Sequence, residues 1–253
     1  MTKRLFAPIF ALLAMPCFAG TVSQFSTIDA LMQGIYDGPA SFSDVRRAGD
    51  FGIGTVNNLD GEMLALDGVF YQITSDGKVH VIPDSAKTSF ATVTFFKPGH
   101  QATVPAFTNF ASLQGWLDQK LGSQNYFWAV RLHGTFPMIK VRSISRQHPP
   151  YRPLAEVAKT QSVFEYHDII GTLVGFRSPP YIKGINVPGY HFHFLSDDKS
   201  RGGHVLECSV TSGTVTWESL ETFQMQLPKE TSFRNADFST HDAKALESVE
   251  QER

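Results

Sequence analysis

Cysteine is scarce in the 253-residue sequence, with Cys17 and Cys208 the two present. Cys17 sits in a leader-like N-terminus, so the mature chain keeps Cys208 alone and has no internal disulfide to form. An excess of either charge is also missing. The 22 Lys+Arg against 24 Asp+Glu exclude the basic footprint of a nucleic-acid-binding surface. No dinucleotide or phosphate-loop signature occurs, so no organic cofactor is implied. The apolar run Leu5 to Phe18 is too short to span a bilayer. What is present is ordinary for a folded protein. A 42% hydrophobic and 18% charged composition excludes disorder, a coiled coil and a collagen-like chain. The length suffices for one large core or two small ones.

Lys3 and Arg4 ahead of Leu5 to Phe18, followed by small Ala19 and Gly20, read as a secretory signal cleaved near Ala19. The expected destination is outside the cytoplasm, in periplasm or medium. Loss of Lys3 and Arg4 takes the formal charge from −2 to −4. The rest divides into a β-rich subdomain over 20–150, a second over 151–235, and a tail over 236–253. The division is placed at Gln147 to Pro153, where three prolines break the pattern.

Ser26 as cap, with Ile28, Leu31, Met32 and Ile35 at helical spacing, predicts an opening helix. Val69 to Thr74 and Lys78 to Ile82 read as a hairpin around Ser75-Asp76-Gly77. Ala91 to Phe96 is another strand. Leu113, Trp116, Leu117 and Leu121 mark a second helix. Tyr126 to Phe136 and Met138 to Ser145 read as a strand pair, and Leu154 to Val163 as a helix. Gly68 to Asp76 lines up without a gap against Gly189 to Asp197, with Gly54-Thr55 echoed in Gly171-Thr172. This is the mark of a possible duplication, with His191 and His193 standing where the first copy has Phe70 and Gln72. The fold class is α+β: two sheet-dominated subdomains, few helices, and a site between them.

The chemistry concentrates in Tyr190-His191-Phe192-His193-Phe194. On a strand, His191 and His193 share one face and the phenylalanines the other. If Ser196 to Gly203 is a turn centred on Asp198-Lys199, His193 lies opposite His204 with side chains about 5 Å apart. A one-residue slip turns His204 away, and Gly202-Gly203 offers a bulge to set the register. Three neutral imidazoles suit Zn²⁺ with an open position, although Cu²⁺, Ni²⁺, Mn²⁺ and Fe²⁺ accept the same donors. His80, His100, His133, His148, His167 and His241 lack such spacing and read as structural or surface residues.

Glu62 reads as an exposed turn acid or, if it points into a cavity, as a proton donor with a raised pKa. Arg142 shares a strand face with Lys140 and offers a planar fork for a carboxylate. In the tail, Leu246 and Val249 are spaced as on a short amphipathic helix that ends near Glu250.

Together these segments are similar to a known family. Gly54-Thr55 with Gly61 to Tyr71, Gly134-Thr135-Phe136 with Val141-Arg142, and Gly189 to Phe194 with Gly202 to Val205 resemble three signatures of α-acetolactate decarboxylase. The resemblance implies a zinc enzyme converting 2-acetolactate to acetoin and carbon dioxide. It places the metal on His191, His193 and His204, and active-site roles on Glu62 and Arg142. It also places Thr55 near the substrate and Glu250 at the metal, and implies a homodimer. The residue types agree with that chemistry. A metal holding the ketone and hydroxyl oxygens would stabilise an enediolate. Arg142 would orient the leaving carboxylate or bind the developing oxyanion, and Glu62 as first choice, with Glu250 beside it, would protonate the carbon. Two other readings use the same residues: a three-His zinc metallohydrolase, and a non-catalytic β-fold binding protein.

Overall fold

The computed structural model describes residues 20–250; the leader read at 1–19 lies outside them. Among the described residues, thirteen strands form two sheets. The first half of the chain supplies β1 (Thr21–Phe25), β2 (Phe51–Thr55), β3 (Glu62–Leu66), β4 (Val69–Ile73), β5 (Val79–Val81) and β6 (Phe90–Thr94). There follow β7 (His100–Val104), β8 (Phe127–Ser143), β9 (Ser162–Ser178), β10 (Gly189–Ser196), β11 (Gly202–Ser209), β12 (Ser212–Leu220) and β13 (Thr222–Gln226). The described helices are α1 (Ile28–Met32), α2 (Phe42–Arg46), α3 (Phe110–Leu121), α4 (Leu154–Val157), α5 (Thr231–Asn235) and α6 (Ala243–Glu250). The class is α+β, as the sequence implies. Among the described residues no helix is long and apolar enough to cross a membrane.

The first sheet runs β13-β1-β6-β2-β3-β4-β5 and the second β11-β10-β9-β8-β12-β7. Setting β13 aside, the two orders are the same six-strand topology traced twice, which makes the repeat a repeat of structure. The ungapped alignment is nonetheless one residue out of phase. Phe70 packs beneath α2 against Phe42, whereas Phe192 and Phe194, not His191 and His193, share a core with α3. A one-residue shift reverses every side chain on a strand, so the histidines correspond to the Val69-Tyr71-Ile73 face of β4 and not to Phe70 and Gln72. The Gly54-Thr55 echo fails as well, since it lies on β2 and Gly171-Thr172 on β9.

Local differences have local causes. Thr27, not Ser26, caps α1 by accepting from Ala30 N, because Ser26 stands at φ 68°. The expected strand pair over 126–145 is one 17-residue strand, β8. Its Pro137 has no N–H to donate, and it falls where the neighbour on one side changes from β12 to β11. Against β9, Phe136 pairs with Ile169 and Met138 with His167, leaving Pro137 outside the ladder. The helix expected over 154–163 is α4 plus a 3₁₀ turn, Ala158–Thr160, and β9 has begun by Ser162. The sheets also divide the chain elsewhere than at 147–153: the passage from first to second lies between Thr94 and His100, and β13 returns to the first.

The β8–β11 pairing closes the second sheet on itself. Phe136, Phe192, Phe194 and Val205 fill its interior against α3. Its other face meets the first sheet through Val174, Phe176 and Leu195 against Phe51, Ile53 and Leu64. A third core, under α1, α4 and α6, covers one end of this contact. Cys208 is buried, and burial pushes its thiol up to about 12, so it is an inert packing residue.

Candidate metal centre

The end of the sheet-to-sheet contact is where the polar side chains collect. His193 on β10 pairs directly with His204 on β11, the register that a turn at Asp198-Lys199 requires. The irregularity in β11 lies between Val205 and Glu207 rather than at Gly202-Gly203. Gly203 serves another purpose: at φ 146°, an added Cβ would sit 2.5 Å from the Arg142 carbonyl. His191 shares the face of His193, and the three rings stand with centroids 4.8 to 5.4 Å apart.

All three rings are buried, and their ligand nitrogens lie within 4.8 Å of one another. Burial holds them neutral. His191 is lowered to about 3 by desolvation and then by Arg142, and His193 and His204 fall well below the ordinary imidazole range. The His193 Nδ1–H donates to the Met63 carbonyl of β3 at 2.8 Å, which leaves Nε2 bare, and that atom is buried without a partner. Likewise the His204 Nε2–H donates to the Glu250 carbonyl. Its Nδ1 is then turned toward His191 Nε2, 3.1 Å away. Tetrahedral bonds of 2.0–2.1 Å place two ligand nitrogens roughly 3.3 Å apart, so the spacing fits a shared cation. Backbone carbonyls orienting two rings are the usual outer support of such a centre.

Around the rings stand the other expected residues. Glu62 opens β3 opposite Thr55 and is buried, 7% exposed, not an exposed turn acid. The chain reaches it through Gly61 at φ 79°, where a Cβ would meet the Ile73 carbonyl at 2.2 Å. Its Oε2 is 3.6 Å from His193 Nε2. Burial pushes its pKa up to about 7, opposed by Arg142 and assisted by Glu250. Arg142 lies directly across from His204 on β8, with Nη2 3.5 Å from Glu250 Oε1. Glu250 ends α6, which docks through buried Leu246 and Val249. Its Oε2 is 3.6 Å from His191 Nε2 and has no hydrogen-bond partner, and burial raises its pKa. Thr55 also lines the cavity, but its hydroxyl proton is taken by the Gly61 carbonyl at 2.6 Å.

The structure thus brings all seven expected residues to one small cavity of about 30 Å³. It adds an apolar wall of Ile28, Leu31, Leu59, Phe90, Ile144 and Leu154. The sequence reading missed this wall, because its members come from separate elements, each of which reads as core. The remaining histidines that the structure engages do so elsewhere: His133 with Asp197, His167 with Glu165, His241 with Asp29, and His100 stacked on Trp217.

Comparison with known proteins shows the family. The family profile described as alpha-acetolactate decarboxylase matches residues 22–240. The chain is 46% identical to the alpha-acetolactate decarboxylase of Methanosarcina mazei, over 90% of this chain and 79% of that protein. It is 45% identical to that of Methylococcus capsulatus, over 90% and 88%. The crystal structure of alpha-acetolactate decarboxylase from Bacillus subtilis strain 168 superposes with a TM-score of 0.89 at 36% identity, covering 91% of this chain and 99% of the other. With the profile, the relatives and the fold in agreement, the chain belongs to the α-acetolactate decarboxylase family.

Proposed function

We propose that this decarboxylase converts 2-acetolactate to acetoin and carbon dioxide with Zn²⁺ held by His191, His193 and His204. The observation that carries this reading is the convergence of three buried, neutral imidazoles on one cavity that also holds Arg142, Glu62 and Glu250. Three uncharged ligands leave a divalent ion its full charge, which supplies Lewis-acid stabilisation of the electron pair left when the carboxylate departs.

The chain's own groups do the rest. Arg142 is the one Lys or Arg among the residues lining the cavity, and its guanidinium pairs with the substrate carboxylate and aligns the bond that breaks. Cleavage releases carbon dioxide and leaves its bonding pair on the former α-carbon, conjugated with the ketone. Glu62 then delivers a proton to that carbon. A carboxyl held near 7 by burial is protonated often enough near neutral pH to serve. The apolar wall excludes water and accepts the substrate's methyl groups.

The test is acetoin and gas release from racemic 2-acetolactate by the purified protein. Arg142→Lys is expected to lower kcat/KM by about tenfold or more, because a point charge does not reproduce a bidentate fork. Unchanged kinetics in that variant would remove Arg142 from substrate binding. We also propose export through the leader, read by N-terminal sequencing of protein recovered outside the cytoplasm, where a retained Met1 contradicts it. The homodimer is proposed from family membership, and a monomer in light scattering contradicts it.

A further inference from the structure

The Arg142 guanidinium is held in an uncommon way for a buried cation. It is 3% exposed, and buried charges are ordinarily paired with an opposite charge at close range. Here the close acceptor is neutral: Nη1 donates to the side-chain carbonyl of Gln161 at 3.2 Å. The carboxylate of Glu250 stands farther off, 3.5 Å from Nη2, beyond the length of a strong charge-assisted bond. Nε is buried with no partner.

Gln161 reaches Arg142 by strand geometry. Arg142 pairs with Val163 across β8 and β9, so Gln161, two residues before Val163, projects to the same face as a diagonal neighbour. Its place is fixed by the 3₁₀ turn before it, where Gln161 N donates to the Ala158 carbonyl. Gln161 is not among the residues lining the cavity, so it acts on the guanidinium and not on the substrate.

We propose that Gln161 is a positioning residue that aims the Arg142 guanidinium at the substrate carboxylate and, being neutral, leaves its charge undivided. This rests on the decarboxylase reading above and names how its carboxylate subsite is built. A Glu at 161 keeps the shape and the acceptor, but pairs ionically with Arg142 and sets a second anion beside the substrate's own. An apolar side chain leaves Nη1 unsatisfied and free to turn.

The two roles, positioning and plain scaffold, predict opposite orders of effect. Full-length wild type, Gln161→Met and Gln161→Glu are compared for 2-acetolactate kinetics and for inhibition by acetoin, which is neutral and lacks the carboxylate; thermal unfolding reports folding. Gln161→Met should raise KM about tenfold, the loss of one hydrogen bond to a charged group. Gln161→Glu should raise it further, by about 10²-fold. Inhibition by acetoin should be unchanged in both. A Gln161→Glu enzyme as good as wild type overturns the proposal, because a plain scaffold bond is strengthened by the charge. Equal weakening of acetoin and substrate in Gln161→Met also overturns it. If Gln161→Glu does not fold, Gln161→Met decides, and an unchanged KM there is fatal. A wild type that releases no acetoin defeats the functional reading itself, whatever the Gln161 variants do, and this inference falls with it.

Discussion

His193→Ala is expected to abolish acetoin formation, by about 10³-fold or more, and to leave the purified protein with little bound metal. The magnitude follows from the several kcal/mol that a Lewis-acid ion contributes to a charged transition state. The same change removes one of three donors and the Nδ1–H that fixes the ring on the Met63 carbonyl. His191→Ala and His204→Ala should behave alike, since each ring offers one ligand nitrogen to the same close group. Circular dichroism and metal analysis separate loss of the centre from loss of the fold. A folded, metal-free His193→Ala enzyme with near-normal turnover would defeat the assignment.

Glu62→Gln should retain its metal and its fold yet lose turnover by about 10²-fold or more, the usual contribution of a placed acid. The amide has the shape of the carboxyl but no acidic proton. Glu62 sits 3.6 Å from His193 Nε2 and within the field of Arg142 and Glu250. Gln at this position therefore changes the proton inventory of the cavity with little change in packing. Glu250→Gln is the informative companion, because Glu250 faces two of the rings and its loss should lower metal retention as well as rate. Wild-type turnover in Glu62→Gln would move the proton donor elsewhere.

The parts of this site that were legible in the sequence are those written in short range. A period of two places His191 and His193 on one face, and an eight-residue connection with turn residues in its middle sets His204 opposite. Glu62 and Arg142 were legible as residue types, and their burial was not, because it depends on how β3 and β8 are covered. The Met63 and Glu250 carbonyls that orient two rings leave no mark on a sequence, since every residue carries one. Gln161 gave no signal either. It becomes meaningful through the β8–β9 register, and that register was hidden while β8 was read as two strands broken at Pro137. Pro137 does not end the strand, because its missing N–H falls where one neighbouring strand replaces another and nothing is lost by continuing. The repeat shows the same limit. Similar residues at both ends of β4 and β10 align them, but which face a strand buries is set by the helix packed on it, and α2 and α3 decide that a residue apart.

Turnover is expected to require a divalent ion held by the three neutral rings. Elemental analysis of the purified protein, combined with acetoin formation before chelation, after it and after Zn²⁺ is restored, tests this most directly. The expected result is about one zinc per chain, with activity that disappears with the ion and returns with it. Undiminished acetoin formation by protein stripped of every divalent ion would contradict the account.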